Sequence, residues 1–184
     1  MLQVVDQSQA RILQLSDDVL LLILTQLPSP ALLTLADTCL RLQSLCLRTE
    51  SLWTQPDFSG HPMDLRAMRN CLKLFNRRTK SLTFEGFLRT KGRVVNISES
   101  FLAGIHCDTS VLKLRTLKLQ NFYFHADKIV FSHFPPTLTH LSLSGCEVDR
   151  LPSDNNSYFK NVHLKLPELE TLDLTGCGWV SNHR

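Results

Sequence analysis

The side chains that could perform acid–base, thiol or metal chemistry are placed in ways that build none of it. His140 and Asp173 fall in segments expected to be neighbouring strands and imitate an acid–base pair, but a solvated surface explains both more simply. Six cysteines, at 39, 46, 71, 107, 146 and 177, are widely spread, and no pair has Cys-x-x-Cys spacing. They read as free, mostly buried thiols of a reducing compartment. His106 and Cys107 are adjacent, and nothing among the seven histidines supplies the paired spacing of a structural zinc site. No Gly-x-Ser-x-Gly elbow, phosphate-cradling loop or zinc-protease signature occurs. The expectation is a protein with no catalytic residue, metal or cofactor, whose function lies in binding.

The strongest binding signal is the stretch from Leu15 to Trp53. The run Val19-Leu20-Leu21-Leu22-Ile23-Leu24 continues to Leu27, whereas one buried helical stripe needs only Leu20, Ile23, Leu24 and Leu27. Val19, Leu21 and Leu22 are surplus. A helix apolar on more than one face needs burial on more than one face, which so short a segment cannot provide. The excess implies a partner protein.

The order of residues around that helix supplies a resemblance. Leu15-Ser16-Asp17-Asp18 opens the segment, Pro28-Ser29-Pro30 with Leu32, Leu33 and Leu35 follows, then Cys39-Leu40-Arg41-Leu42, and Glu50-Ser51-Leu52-Trp53 closes it. This resembles an F-box. Ser16 stands where that family usually has Pro, a mild change because Ser caps helices well and Asp17 and Asp18 suit a helix start. Leu42 replaces the usual aromatic but stays apolar. The resemblance implies a surface for a small Skp-type adaptor. By position its core and adaptor face comprise Leu15, Leu20, Ile23, Leu24, Leu27, Pro30, Leu32, Leu35, Cys39 and Trp53, undivided between packing and contact.

Charge argues against the rival helix-turn-helix reading. Residues 1–60 hold three arginines, no lysine and six carboxylates, a balance of −3 that disfavours a phosphate-binding surface. With the whole chain at +3, the remainder carries +6, and the change of character near Gly60-His61-Pro62 divides an F-box at 12–60 from a second unit at 61–184. The Leu-rich run is far shorter than the roughly 20 residues of a membrane span, and no secretory signal opens the chain. The expectation is a soluble protein of cytoplasm or nucleus with no nucleic-acid or membrane partner. Asn96-Ile97-Ser98 and Asn155-Asn156-Ser157 then match the glycosylation pattern by chance. The run Arg77-Arg78-Thr79-Lys80 reads as solvated charge at a helix end.

The second unit repeats itself. Leu138-x-x-Leu141-x-Leu143-x-x-Cys146 and Leu169-x-x-Leu172-x-Leu174-x-x-Cys177 fit the leucine-rich-repeat template in full. Leu114-x-x-Leu117-x-Leu119 with Phe122 is a third copy, and Leu82-x-Phe84 a degenerate fourth. The intervals Leu82 to Leu117, Leu117 to Leu141 and Leu141 to Leu172 are 35, 24 and 31 residues, so two need convex-side insertions. Each copy predicts a short parallel strand with leucines inward. Thr116, Lys118 and Gln120, then His140, Ser142 and Ser144, then Thr171, Asp173 and Thr175 would line the concave face. Cys146 and Cys177 would sit in the turns with thiols near backbone groups. An amphipathic helix is expected over Asp64 to Arg78, a shorter one after Ser98 or Ser100, an irregular convex side from Asn121 to Pro135, and a polar loop at 153–157.

F-box and repeats together resemble the F-box/leucine-rich-repeat family over nearly the whole chain. The fold implied is α/β, a three-helix F-box followed by a short solenoid with one parallel strand per repeat. The function implied is a non-catalytic substrate receptor of an SCF-type cullin-RING ubiquitin ligase, which holds an unidentified target protein for ubiquitination by proximity. The substrate-face candidates are Thr116, Lys118, His140, Ser142, Thr171 and Asp173. The alternative is a repeat scaffold, or a shortened competitor that occupies the adaptor without delivering a substrate. The last strand, followed by Gly178-Trp179-Val180, is expected to be an open edge with at most a partial lid.

Overall fold

The computed structural model describes residues 11–87, 95–107, 113–152 and 158–180. The loop expected at 153–157, with the second glycosylation pattern, lies outside them. After a 3₁₀ turn at Arg11–Gln14, three short helices follow: α1 (Asp17–Leu24), α2 (Ser29–Ala36) and α3 (Leu40–Arg48). Ser16 caps α1 as expected, its hydroxyl accepting from Val19 N at 3.5 Å. Pro28 caps α2 and Pro30 sits in its first turn, where a missing N–H costs nothing. A 3₁₀ turn at Glu50–Trp53 then drives Trp53 into the interior, its indole donating to Cys46 O at 2.8 Å.

The helix expected over Asp64 to Arg78 is shorter. Asp64 caps α4 (Leu65–Leu72) by accepting from Ala67 N at 2.7 Å. Beyond it Asn76 Oδ1 takes Arg78 N at 2.8 Å and Thr79 Oγ1 takes Asn76 N at 3.1 Å. Side chains that bond their own backbone in this way compete with helix, and the chain turns instead. Phe75 is still buried, as the periodicity demanded.

Beyond this turn the chain is built on parallel strands. β1 (Ser81–Glu85), β2 (Thr116–Gln120), β4 (His140–Ser142) and β6 (Thr171–Asp173) form one sheet in the order β1-β2-β4-β6. Its register aligns Leu82, Leu117, Leu141 and Leu172 in one row, the spacing read from the sequence. Between β1 and β2, helix α5 (Glu99–Cys107) is capped by Ser98, which accepts from Phe101 N at 3.3 Å; Ser100 is already inside the helix.

The stretch after Asn121 is not wholly irregular. β3 (Tyr123–His125) pairs in parallel with β5 (Glu147–Asp149) as a second, two-stranded sheet, and Tyr123 also bridges Asn96. These strands follow left-handed residues at equivalent places, Asn121 at φ 58° and Gly145 at φ 65°, with Gly176 at φ 74° closing the next unit. Each turn re-aims the chain after an inward leucine, so the second sheet follows from the first. Gly86 occupies that place after β1, and a Cβ there would lie 2.6 Å from Asn121 O. A short helix α6 (Val162–Lys165) leads into β6.

One hydrophobic core runs without a break from Leu24 and Leu32 through Trp53 and Phe58 to Phe84, Phe101, Phe131 and Leu141. Asp57 joins β1 at Thr83 as a parallel bridge, Phe58 N donates to Thr83 O at 3.1 Å, and the rings of Phe58 and Phe84 stack at 5.4 Å. The helical segment and the sheet therefore share packing across residue 60.

Candidate partner-binding surfaces

Helix α1 separates its apolar residues into two groups. Leu20 and Leu24 are buried, with Leu21 and Leu27 packed at the edge of the core. Val19, Leu22 and Ile23 stay 41%, 69% and 38% exposed. At 3.6 residues per turn these three span one continuous arc of about 100°. Leu15 and Ile12 continue it before the helix, and Leu40, 82% exposed, stands at the start of α3. The sequence expected Ile23 in the buried stripe and Leu21 outside it. The core lies on the Leu21 side of the Leu20–Leu24 axis, which exchanges the two.

Among the residues assigned to the core and adaptor face, the structure makes a division that sequence could not. Leu20, Leu24, Leu32 and Trp53 are interior and offer no surface. Leu27, Pro30, Leu35 and Cys39 are half-buried, and Leu15 and Ile23 are exposed. Arg41, not singled out from the sequence, holds this surface together. Its guanidinium donates to Leu13 O, to Leu15 O at 2.7 Å and to Asp17 Oδ1 at 2.6 Å, tying the segment before α1 to the first turn of α3. The available signal is its place in Cys39-Leu40-Arg41-Leu42, within a lysine-free segment that also holds Asp17 and Asp18.

On the four-stranded sheet the register sets Ser81, Thr116, His140 and Thr171 in one row and Thr83, Lys118, Ser142 and Asp173 in the next. Lys118, His140 and Thr171 are exposed, while Thr116 and Asp173 are half-buried. Ser142, expected on the open face, is buried, because its hydroxyl turns onto Asp173 Oδ2 at 2.8 Å. His140 and Asp173 are not brought together. His140 Nδ1 lies 2.8 Å from Thr139 Oγ1, and Asp173 accepts from Thr175 Oγ1 at 2.6 Å and Thr175 N at 3.0 Å. The Thr175 hydroxyl, then its amide and the Ser142 hydroxyl, hold that carboxyl below its ordinary range.

Cys146 and Cys177 sit in the turns as expected, each thiol donating at 3.0 Å to a carbonyl of the preceding unit, Leu119 O and Leu143 O. Burial pushes the Cys146 thiol up to about 12 and the Cys71 thiol to about 11, so neither is a thiolate near neutrality. Trp179 folds back, its indole donating to Cys146 O at 2.9 Å while its ring stacks on Phe159 at 5.8 Å.

Residues 13–59 match the F-box-like family. These residues contain α1 to α3, the exposed arc and Trp53. No curated protein matches the chain significantly. The chain thus carries an F-box-like domain at its helical end and a mixed α/β structure with a parallel sheet beyond it.

Proposed function

We propose that this chain is a non-catalytic substrate-recognition subunit of an SCF-type cullin-RING ubiquitin ligase, working in cytoplasm or nucleus. The F-box-like domain docks a Skp-type adaptor, and the strand units, read as leucine-rich repeats, hold a target protein. One observation carries the reading: the F-box-like residues keep Val19, Leu22, Ile23 and Leu40 in contact with solvent beside a core that is already complete. Apolar area of this kind is stabilised by a protein partner. The repeat reading is supported by the aligned leucine row, by the left-handed residues at equivalent turns and by the Cys146 and Cys177 thiols bonded to the preceding unit.

In this reading the chain contributes proximity and orientation, and its partners contribute the transfer chemistry. The test is capture of a purified Skp-type adaptor by the purified chain, followed by assembly with cullin and RING subunits. Stable capture that depends on the exposed arc is the expected result. A folded chain that fails to bind adaptor at tens of micromolar would sink the reading, and a ternary complex that recruits no cellular target would favour the competitor alternative.

A further inference from the structure

The N-terminal rim of the four-stranded sheet carries a basic corner. Thr79 is fully buried and donates its hydroxyl to Trp53 O at 2.7 Å, so its neighbours Arg78 and Lys80 are forced into solvent, with Arg77 beside them. Leu114 does the same one strand on, turning Lys113 and Arg115 outward. The two groups are adjacent because Lys80 O accepts both Arg115 N at 2.8 Å and Thr116 N at 3.0 Å. Two carboxylates reach the corner, Glu50 to Arg78 at 3.5 Å and Glu168 to Arg115. Arg77, Lys80 and Lys113 have no ion-pair partner among the described residues.

The rim then changes sign. Thr139 N donates to Arg115 O and Glu170 N to Thr139 O, each at 2.8 Å, so Lys80, Arg115, Thr139 and Glu170 follow one another along it. With strands about 4.8 Å apart, the field reverses within roughly 15 Å. Glu170 marks the far end, and Glu168 reaches back from it to Arg115. A nucleic acid laid along this rim would press phosphates against those carboxylates, and no Phe, Tyr or Trp stands among the exposed rim residues to stack a base. A short run of carboxylates in an extended polypeptide fits the corner without that conflict.

We propose that Arg77, Arg78, Lys80, Lys113 and Arg115 form a docking site for a short acidic segment of a partner protein. Resting on the receptor reading, this gives the target its chemistry: a stretch of a few Asp or Glu residues placed over the first two strands.

The test is fluorescence anisotropy on the full chain with a labelled peptide of six glutamates spaced by serines, alongside a twenty-nucleotide oligo-dT. The peptide should bind, and binding should weaken as salt rises. Arg77→Glu with Lys80→Glu, and separately Lys113→Glu, should weaken it about ten-fold or more, whereas Lys128→Glu and Lys160→Glu, elsewhere on the surface, should not. Arg77→Lys with Lys80→Arg should retain binding, with circular dichroism showing that all variants are folded. The proposal is overturned if the rim reversals leave peptide affinity unchanged, if the control reversals weaken it equally, or if oligo-dT binds more tightly than the peptide and is lost in the same variants. Adaptor capture is measured on the same proteins. A chain that captures adaptor but ignores the peptide overturns this proposal alone, and one that binds the peptide but no adaptor overturns the receptor reading alone.

Discussion

Replacing Leu22 and Ile23 by Ala should separate docking from folding. Fully burying a Leu or Ile side chain is worth about 1.5–3 kcal/mol. Leu22 is 69% and Ile23 38% exposed, so the part still in water is worth about 1–2 and about 0.6–1 kcal/mol to a partner that covers it. The double variant should therefore lose about 1.5–3 kcal/mol of adaptor binding, a roughly 10- to 150-fold weaker Kd. Its own stability should fall by about 1.4–2.8 kcal/mol, mostly through the covered part of Ile23, whereas Leu22→Ala alone should cost less than about 1 kcal/mol because most of that side chain is already in water. Leu20→Ala should do the reverse. Leu20 is 1% exposed, and its deletion leaves a cavity that costs about 2–5 kcal/mol of the 5–15 kcal/mol typical of a domain. Urea denaturation supplies the stabilities and biolayer interferometry against the adaptor supplies the Kd. A stable Leu22/Ile23 double variant with unchanged adaptor affinity would refute the assignment of this arc as the docking face, and a Leu20→Ala protein of undiminished stability would refute the division between faces.

Arg41→Lys should behave like Arg41→Ala, losing about 1–3 kcal/mol, since an ammonium cannot reach Leu13 O, Leu15 O and Asp17 at once; rescue by Lys in urea denaturation would reduce the site to a simple charge pair. Gly86→Ala should destabilise by about 1–3 kcal/mol, because the new Cβ meets Asn121 O at 2.6 Å and Phe122 Cδ1 at 2.8 Å, and neutral thermal unfolding would show that the turn yields freely. Cys146 and Cys71 should resist a thiol reagent at pH 8 in the native protein and react only on unfolding. Their folded pKa values, about 12 and about 11, lie above the ordinary 9.0, so their contribution is intact below pH 9 and declines as pH rises from 9 through 11 and 12, by about 1.4 kcal/mol per pH unit for each thiol. Stability constant from pH 9 to 11 would contradict the burial assigned to them. Finally, amides of β6 should exchange faster than those of β2, since Leu172 and Leu174 are only half-buried while Leu117 and Leu119 are interior; equal protection by mass spectrometry would mean that the β6 edge is held as firmly as the middle of the sheet.

What could be read from the chain depended on how long each pattern ran. The leucine spacing fixed the strand rows because four copies repeat it, and Leu82, Leu117, Leu141 and Leu172 align as that spacing requires. The strands Tyr123–His125 and Glu147–Asp149 leave no mark in the sequence because three residues give no detectable period. The apolar periodicity overruns α4 because it continues to Phe75, while the bonds of Asn76 and Thr79 that end the regular structure are local side-chain chemistry. On α1 the surplus of apolar residues was legible but the direction of the core was not. Periodicity places residues around a helix axis; only the neighbouring helices decide which arc is covered. Ser142 departs from its alternation for a similar reason, since the pattern puts it on the open face and a hydrogen bond to Asp173 takes it out of solvent.

The unbroken core gives the two surfaces a fixed relation. Trp53 bonds back to Cys46 O in α3 and its own carbonyl accepts the Thr79 hydroxyl at the foot of β1, so one buried residue joins the helix bundle to the corner that carries Arg78 and Lys80. Pro56 and Asp57 add a strand-like edge to β1, and Lys80 N donates to Thr54 O at 2.9 Å. A hinge needs a few residues free to absorb large backbone changes, and here Trp53, Thr54, Pro56, Asp57 and Phe58 are each committed to a hydrogen bond or to the core. In the receptor reading this rigidity has a purpose. A target held at the rim would stand at a set distance and angle from an adaptor on α1, and transfer by proximity gains from such restraint only if the link does not flex. The wedge of Trp53, Phe58 and Phe84 would then matter to ubiquitin transfer although it touches neither partner.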